Sequence, residues 1–305
     1  MKPSIVFKNI KTDPKFLLKD YLKDLTLLLT LLAILLVIPR NISFDFSYLY
    51  FIPLFLSIPF GWLVAAFLHK TGHQNLSKGP LNRIVGEFVG HFVGYGFNNF
   101  ILVHTLHHLY SDHKYDPVSP RGMTFFKYLT SPNKYMIEHT KEYLSDIHKD
   151  TESYQKILKI QTVIFHINLI LRIAIWFLIF GPGLFLAFYL PAVFSNIAIL
   201  AHINYVCHRD HEDGSVEVFN MNHTLYYRLA NFVTMGGYFH KNHHENLSLF
   251  DPRKLKSKKD RLLTVKSDNI APTVKLKQNS SSFSLKGYFN LDRVWEEKIS
   301  LKNIR

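Results

Sequence analysis

Histidine is the residue type through which this sequence could do chemistry. Eight of the 17 histidines in the 305-residue chain fall in three short clusters. One cluster has the spacing His-x-x-x-His and two have the spacing His-x-x-His-His; their members are His69, His73, His104, His107, His108, His240, His243 and His244. Residues three and four apart share one face of a helix, so each cluster directs several imidazoles toward one point. Imidazoles gathered in this way indicate a metal site.

The number of histidines limits the choice of metal. Imidazole binds zinc, copper, iron and nickel, but one zinc ion takes about four ligands, so eight clustered histidines suit two ions. Zinc has no redox chemistry, and a two-metal imidazole site with open positions favours iron and dioxygen. Soluble carboxylate-bridged di-iron bundles use Glu-x-x-His pairs, and no glutamate here has a histidine three residues later. A membrane zinc hydrolase and a metal transporter are the alternatives from other classes.

Four apolar stretches determine where these clusters lie. They are residues 25–39, 46–68, 160–180 and 184–206. The last three have roughly the 20 residues that a membrane span needs, and the first is shorter. The short links 40–45 and 181–183 join the stretches in pairs. The sequence therefore predicts an all-α integral membrane protein with four transmembrane helices in two hairpins, and a helical cap that holds the di-metal site.

The distribution of charge predicts the orientation. The chain has a formal net charge of +13, and the two links hold only Arg40 between them. The positive-inside rule places both termini, and residues 69–159, in the cytosol. A basic cytosolic face suits an acidic electron-donor protein, a phosphate-bearing acyl carrier or lipid head groups. No nucleic-acid recognition motif accompanies the charge, so we expect no nucleic-acid partner.

Three regions follow from this pattern: a cytosolic N-terminal segment (1–24), a membrane domain with the histidine clusters (25–250) and a basic cytosolic tail (251–305). Residues 84–103 are apolar but contain several polar residues and glycines. A transmembrane crossing there would separate the clusters across the bilayer, so we favour an interfacial or re-entrant segment over a small-residue span. The single cysteine, Cys207, excludes an intrachain disulfide and cysteine-based zinc ribbons.

Several polar residues within the apolar stretches have open roles. His91 follows Glu87 by four residues, a spacing that allows a carboxylate–histidine pair. Arg172, Asn168 and Asn196 lie inside predicted spans, where an unpaired charge is costly. We therefore expect a buried polar network between the last two helices, either structural or in contact with a substrate head group.

The three clusters resemble the histidine boxes of the membrane fatty acid desaturase superfamily, which also contains alkane hydroxylases and carotenoid ketolases. Asn204-Tyr-Val-Cys-His208 is similar to the Asn-x-x-x-His ligand segment of acyl desaturases, and Gly236-Gly-Tyr-Phe-His-Lys-Asn-His-His244 to their last box. The resemblance covers roughly residues 60–250. Cys207 departs from it, since relatives often carry Glu or Gln there. The segment after His244 also lacks the early proline of many members.

This resemblance implies a di-iron oxidase that uses O2 and external electrons to desaturate a fatty acyl chain. A hydroxylase acting on an acyl, alkyl or carotenoid substrate is the alternative. The implied metal ligands are His69, His73, His104, His107, His108, His208, His240, His243 and His244. Asn204 would hold a water or orient a ligand, and His223 is a reserve ligand. The implied electron donor is a separate protein of the ferredoxin, rubredoxin or cytochrome b5 type.

Overall fold

The computed structural model describes residues 5–38, 48–77, 80–112, 114–130, 132–210 and 216–255, together with the backbone of two short strands further on. The predicted link 40–45 lies outside the described residues, as does most of the tail 251–305. Contacts divide the chain into two compact units. The first contains Met1–Leu102 and Lys141–Asn196, and the second contains Val103–Thr140 and Ile197–Arg305.

Helices provide most of the regular structure in the described residues. The α-helices are α1 (Ile5–Thr12), α2 (Phe16–Val37), α3 (Phe51–Gly72), α4 (Leu81–Phe92), α5 (Phe97–Tyr110), α6 (Phe125–Thr130), α7 (Pro132–His148), α8 (Glu152–Leu184), α9 (Leu190–Cys207), α10 (Leu225–Val233) and α11 (His240–Glu245). Short 3₁₀ turns occupy Tyr48–Tyr50 and Pro252–Lys254, and Phe185–Tyr189 forms a turn of π-helix. The strands are β1 (His208–Asp210), β2 (Val216–Val218), β3 (Lys275–Leu276) and β4 (Trp295–Glu296), paired antiparallel as β1–β2 and β3–β4.

Two apolar clusters hold the first unit together. Leu28 and Leu35 of α2 pack with Ile175 of α8. A larger cluster joins α3, α4, the start of α5 and the π-turn; its buried members are Val64, Leu68, Val89, Phe92, Val93, Phe97, Phe100, Ile101, Phe185, Tyr189 and Ala192. Close van der Waals contact among these side chains packs α2 against α8, and α3 against α4 and the π-turn.

The chain reverses direction at Gly181, within the predicted link 181–183. Gly181 has φ +67 and ψ 167, which breaks the helical path inside α8. Trp176 and Tyr189 lie on either side of the break, yet their ring centroids are 5.8 Å apart. Thirteen residues of straight helix would separate them by about 20 Å. The chain therefore turns back on itself at Gly181, and the predicted helical hairpin of the last two apolar stretches stays a prediction.

Two described stretches are long and apolar enough to cross a membrane. They are Phe51–Gly72 and Glu152–Cys207, and only 33% and 22% of their most apolar windows are buried in the protein. A core helix of a soluble protein would be mostly buried, so these exposed apolar surfaces favour lipid contact. The first predicted stretch, 25–39, forms the second half of α2, whose first half carries charged residues such as Asp20 and Asp24. The prediction of four spans remains a prediction.

Residues 84–103 form two helices rather than one. α4 ends at Phe92, Gly94 and Gly96 have φ values of +94 and +78, and α5 begins at Phe97. A Cβ on Gly90 would lie 2.6 Å from the backbone nitrogen of Phe97, so glycine permits the second helix to turn back against the first. A single continuous span is therefore wrong for this segment. Its interfacial or re-entrant placement stays a prediction.

The polar residues of the third predicted span, Asn168 and Arg172, contact α2 rather than the fourth predicted span. Arg172 forms an ion pair with Asp24, and Asn168 donates to the same carboxylate at 3.1 Å. Asn196 instead accepts from the hydroxyl of Tyr95 at 3.5 Å. The expected network between the last two helices is therefore wrong. The reason is that α8 turns this polar face toward α2, which supplies the compensating charge.

His91 does not form the pair with Glu87 that the spacing allows. Glu87 forms an ion pair with Arg83, one turn earlier on α4. The Nε2 atom of His91 lies 3.6 Å from Asp24 Oδ1. The guanidinium of Arg83 satisfies the Glu87 carboxylate, so His91 turns to the other available carboxylate.

A small sheet organises the second unit. In β1 and β2, His208 is opposite Val218, and the pairing extends as Phe219 N donates to Cys207 O at 2.8 Å. Asn220 then bridges to Phe239, the residue before α11. These backbone pairs bring the end of α9 next to the start of α11, although the two are far apart in sequence.

Candidate metal centre

The second histidine cluster lies on α5. His104 and His108 are one turn apart, and their Nε2 atoms lie 3.1 Å from each other. His107 is rotated by about 100° from His108 on the same helix, and the two ring centroids are 5.5 Å apart. Helical spacing therefore lets one cluster present imidazoles to two different points.

The third cluster lies on α11, which is too short to be stable by itself. Asn242 fixes it through three hydrogen bonds to two segments. The Asn242 side chain accepts from Asn220 Nδ2 at 2.8 Å and donates to Pro252 O at 2.9 Å, while its backbone N–H donates to Asn220 Oδ1 at 3.2 Å. The Nε2 atoms of His240 and His244 lie 3.1 Å apart. Tertiary hydrogen bonds thus position a helix that propensity alone would not maintain.

His208 is the first residue of β1, and it points at the third cluster. Its Nε2 lies 3.0 Å from Nε2 of His240. His243, on the other side of α11, has its Nε2 3.0 Å from Nε2 of His108. The sheet and α11 therefore connect the single histidine and both clusters of the second unit.

The histidines of the second unit form two separate groups. One contains His107, His208, His240 and His244, and the other contains His104, His108 and His243. Within each group the ligand nitrogens lie within 4.8 Å of one another. Imidazole nitrogens about 2.1 Å from a shared ion are about 3.0–3.4 Å apart, so the observed separations fit a metal in each group.

Two buried aspartates orient two histidines of the group that contains His107, His208, His240 and His244. Asp116 Oδ2 lies 2.9 Å from His107 Nδ1, and Asp112 Oδ2 lies 2.6 Å from His208 Nδ1. A carboxylate in this position accepts from Nδ1–H, so the tautomer inferred from the network leaves Nε2 with its lone pair toward the group. His107 Nε2 is buried without a hydrogen-bond partner among the described residues. A metal ion would satisfy this atom.

The two carboxylates are held by their own network in residues 112–119. Asp112 N–H donates to Asp116 Oδ2 at 2.8 Å, and Val118 N–H donates to Asp116 Oδ1 at 2.9 Å. Ser119 Oγ donates to Asp112 Oδ1 at 2.8 Å. Asp112 also has φ +57, an uncommon value for a residue with a side chain. The hydrogen bonds stabilise this backbone conformation, which directs both carboxylates at the histidines.

Electrostatic interactions within the two aspartate–histidine pairs shift the pKa values of His107 and Asp112. Burial by itself would lower the pKa of His107, but the charge and hydrogen bond of Asp116 outweigh burial, and the pKa is raised. Burial would raise the pKa of Asp112, but His208 outweighs it by charge and by hydrogen bonding, and the pKa lies well below its usual range. Asp112 therefore favours the ionised carboxylate beside a polarised imidazole.

Sequence analysis missed Asp112 and Asp116. They follow His108 by four and eight residues, in Ser-Asp-His-Lys-Tyr-Asp-Pro. The available signal was a pair of carboxylates close behind a histidine cluster, since metal-bound histidines commonly donate their second N–H to a carboxylate. The long-range partner of Asp112 had no signal in sequence spacing.

Other predicted residues have different contacts. Asn204 hydrogen-bonds the phenol oxygen of Tyr128. His223 is exposed, has its ring 5.0 Å from that of Tyr227, and belongs to neither histidine group of the second unit. The water-holding role of Asn204 and the reserve-ligand role of His223 therefore remain predictions without a supporting contact.

His69 and His73 lie at the C-terminal end of α3, in the first unit. His69 is in the last turn and His73 is the capping residue, whose N–H donates to His69 O at 3.2 Å. Their ring centroids are 4.9 Å apart. The helix end thus brings the two imidazoles of the first cluster together, and their metal-binding role stays a prediction.

Comparison with known proteins identifies the family. A model of the fatty acid desaturase family matches residues 46–248, which is 203 of the 305 residues and includes every histidine of the three clusters and His208. A search of curated proteins and a search of solved structures found no matching protein. The family match suggests an oxidoreductase with a lipid substrate, and with the two apolar helical stretches it suggests a membrane protein. The chain therefore belongs to the fatty acid desaturase family.

Proposed function

We propose that this protein is a membrane-bound di-iron oxidase that uses O2 and external electrons to desaturate a fatty acyl chain. The observation that carries the proposal is the presence of two neighbouring groups of histidine nitrogens in a desaturase-family chain. Two groups call for two ions. Imidazole donors with carboxylates behind them suit iron as well as zinc, and the family favours the redox-active metal.

The proposed ligands are the nine histidines of the sequence prediction. Seven of them belong to the two groups of the second unit. We assign His69 and His73 to the same centre because their spacing matches the first histidine box and their imidazoles lie together at the end of α3.

The protein's own residues prepare the site. Asp116 and Asp112 contact Nδ1 of His107 and His208, which directs the Nε2 atoms of both rings toward the site where a metal would bind. Asn242 keeps α11 in place so that its histidines stay aligned. Bound iron would supply the reduction of dioxygen and the oxidising power for an unactivated C–H bond. Preorganised imidazoles avoid reorganisation during that chemistry.

The overall reaction balances without a further oxidant. Removing two hydrogens from adjacent methylenes, with O2, two electrons and two protons, gives a cis or trans alkene and two waters. Inserting one oxygen instead, with the same inputs, gives an alcohol and one water. We propose desaturation as the main reaction, with a separate protein of the ferredoxin, rubredoxin or cytochrome b5 type as the electron source. We further propose that both termini and the metal centre face the cytosol, as the charge distribution predicts.

The test is product analysis in cells that express the wild type, His243→Ala or His223→Ala. We expect new unsaturated acyl chains with the wild type and with His223→Ala, and none with His243→Ala. Iron should copurify in equal amounts with the wild type and His223→Ala, and in a smaller amount with His243→Ala. Hydroxylated acyl chains without new double bonds would show that the protein is a hydroxylase and not a desaturase. Zinc without iron, or full product formation by His243→Ala, would contradict the proposal.

A further inference from the structure

Helix α10 has one buried face and one exposed apolar face. Tyr227, Ala230 and Asn231 are buried in the second unit. Leu225, Leu229 and Phe232 are 63%, 54% and 76% exposed among the described residues. At 100° per residue, the three exposed side chains fall within an arc of about 60°. They form a continuous apolar stripe, which we call the α10 stripe.

The α10 stripe is displayed on a fixed helix. Thr224 caps the helix by accepting from Tyr227 N–H at 3.3 Å. Asn231 donates to Met221 O at 2.8 Å and accepts from Tyr238 N–H at 2.9 Å. These bonds prevent α10 from rotating to bury the stripe. An exposed apolar stripe on a rigid element indicates a surface that an apolar partner covers.

The position of α10 identifies that partner. The Tyr238 hydroxyl lies 2.5 Å from His202 Nδ1 and 2.9 Å from the hydroxyl of Tyr226 on α10. The rings of His202 and Tyr226 are 5.6 Å apart. His202 belongs to the last turns of α9, where the candidate membrane span Glu152–Cys207 ends. A helix packed against the end of a span lies at the depth of the lipid head groups.

The composition of α10 supports the same partner. The helix contains Arg228, which is exposed, and no acidic residue. Leucine and phenylalanine beside an arginine suit the boundary between acyl chains and anionic head groups, where the guanidinium can reach phosphate. We propose that the α10 stripe is inserted in the membrane interface, with Leu225, Leu229 and Phe232 among the lipids and Arg228 at the phosphates. The proposal does not depend on the reaction that the metal centre catalyses.

The test places an environment-sensitive fluorophore on Leu229→Cys in the full-length protein. The vesicles contain phosphatidylcholine and phosphatidylglycerol, with or without lipid that carries a nitroxide on its acyl chain. Iodide serves as the aqueous quencher. The native Cys207 is buried, and the unmodified chain measures its background labelling. Asn222→Cys, at an exposed residue before α10, is the matched control. Phe232→Cys repeats the measurement if Leu229→Cys does not fold.

We expect nitroxide lipid to quench the Leu229→Cys label at least about twofold more than the Asn222→Cys label, and iodide to show the opposite order. Iodide quenching at Leu229 equal to that at Asn222 would mean that the stripe faces water, which overturns the proposal. Protection from both quenchers would mean that protein covers the stripe, either a second copy or another segment of this chain, and would overturn it as well.

Discussion

Asp112 Oδ2 lies 2.6 Å from His208 Nδ1, although the two residues are 96 positions apart in sequence. Both side chains are almost completely buried. The contact ties the loop behind α5 to the first residue of β1. Asp116 makes the equivalent contact with His107 at 2.9 Å. One short loop thus supports two histidines that reach the same group from different parts of the fold.

Asp112→Asn should weaken metal binding without unfolding the protein. The amide keeps the size of the carboxylate but loses its charge, so it polarises His208 less. We expect a loss of about 10–100-fold in metal affinity or activity. The measurement is iron retained per chain during dialysis against increasing chelator. Ser119→Ala removes a hydrogen bond to Asp112 and one from Arg121 N–H but keeps the carboxylate, and it should show a smaller loss. Wild-type iron retention in Asp112→Asn would refute a role for this carboxylate.

The two histidine groups should lose metal independently. If each group holds one ion, His208→Ala should reduce iron from about two ions per chain to about one, because it removes a ligand from only one group. His104→Ala should do the same for the other group. Metal analysis of purified protein measures both, with His223→Ala as a control that keeps the wild-type value. Complete loss of iron from both single variants would show that the groups do not bind separately.

The local parts of the site were predictable from sequence. The clusters on α5 and α11 follow from helical spacing, and the reversal at Gly181 follows from a short glycine-containing link between apolar runs. His208 was found only through its resemblance to a family segment. Its position beside His240 depends on the β1–β2 ladder and on the bridge from Asn220 to Phe239. Such pairings join distant segments, and spacing along the chain does not encode them.

The wrong predictions share one physical cause. His91 and Arg172 were assigned partners that are near in sequence or in the neighbouring predicted span. Both instead lie near Asp24 of α2. A buried charge needs a counter-charge, but sequence reasoning could not say which helix supplies it, because the packing of α2 against α8 depends on tertiary contacts. The charged first half of α2 was read as a cytosolic segment, and this removed the actual partner from consideration.

Acid should reduce the contribution of Asp112 to stability in the metal-free protein. Its folded-state pKa lies well below the ordinary value of 3.8. A carboxyl group whose pKa is lowered by folding stabilises the fold above its unfolded-state pKa. This contribution is lost as the pH falls below the unfolded-state pKa toward the lower folded-state pKa. We expect the melting temperature of the wild type to exceed that of Asp112→Asn at neutral pH, and the difference to shrink below about pH 4. Histidine ordinarily titrates near about pH 6.5, well above this range, so the difference is followed only below about pH 5, where carboxyl titration dominates it. A difference that grows as the pH falls below about 4 would contradict the sign of the shift.

Asp24 and Arg172 should show strong energetic coupling. Arg172 is buried in α8, where it contacts the Asp24 carboxylate and donates to Gly94 O at 2.8 Å, the carbonyl at the break between α4 and α5. Asp24→Asn leaves a guanidinium in apolar surroundings without a counter-charge, which we expect to cost about 3–5 kcal/mol. The double variant Asp24→Leu/Arg172→Met removes both charges and should recover most of that loss, because two apolar side chains need no ion pair.

Unfolding of the full-length protein in detergent, by titration with a denaturing detergent, measures each free energy. Asp24→Leu alone and Arg172→Met alone complete the double-mutant cycle. Lys19 lies on the same helix as Asp24, and Lys19→Met breaks the exposed ion pair with Asp13. This variant is the matched control and should cost less than about 1 kcal/mol. If the double variant is as unstable as the sum of the two single variants, the pair contributes no coupling. The buried charge of Arg172 would then be stabilised chiefly by the Gly94 carbonyl and the rest of the helix break.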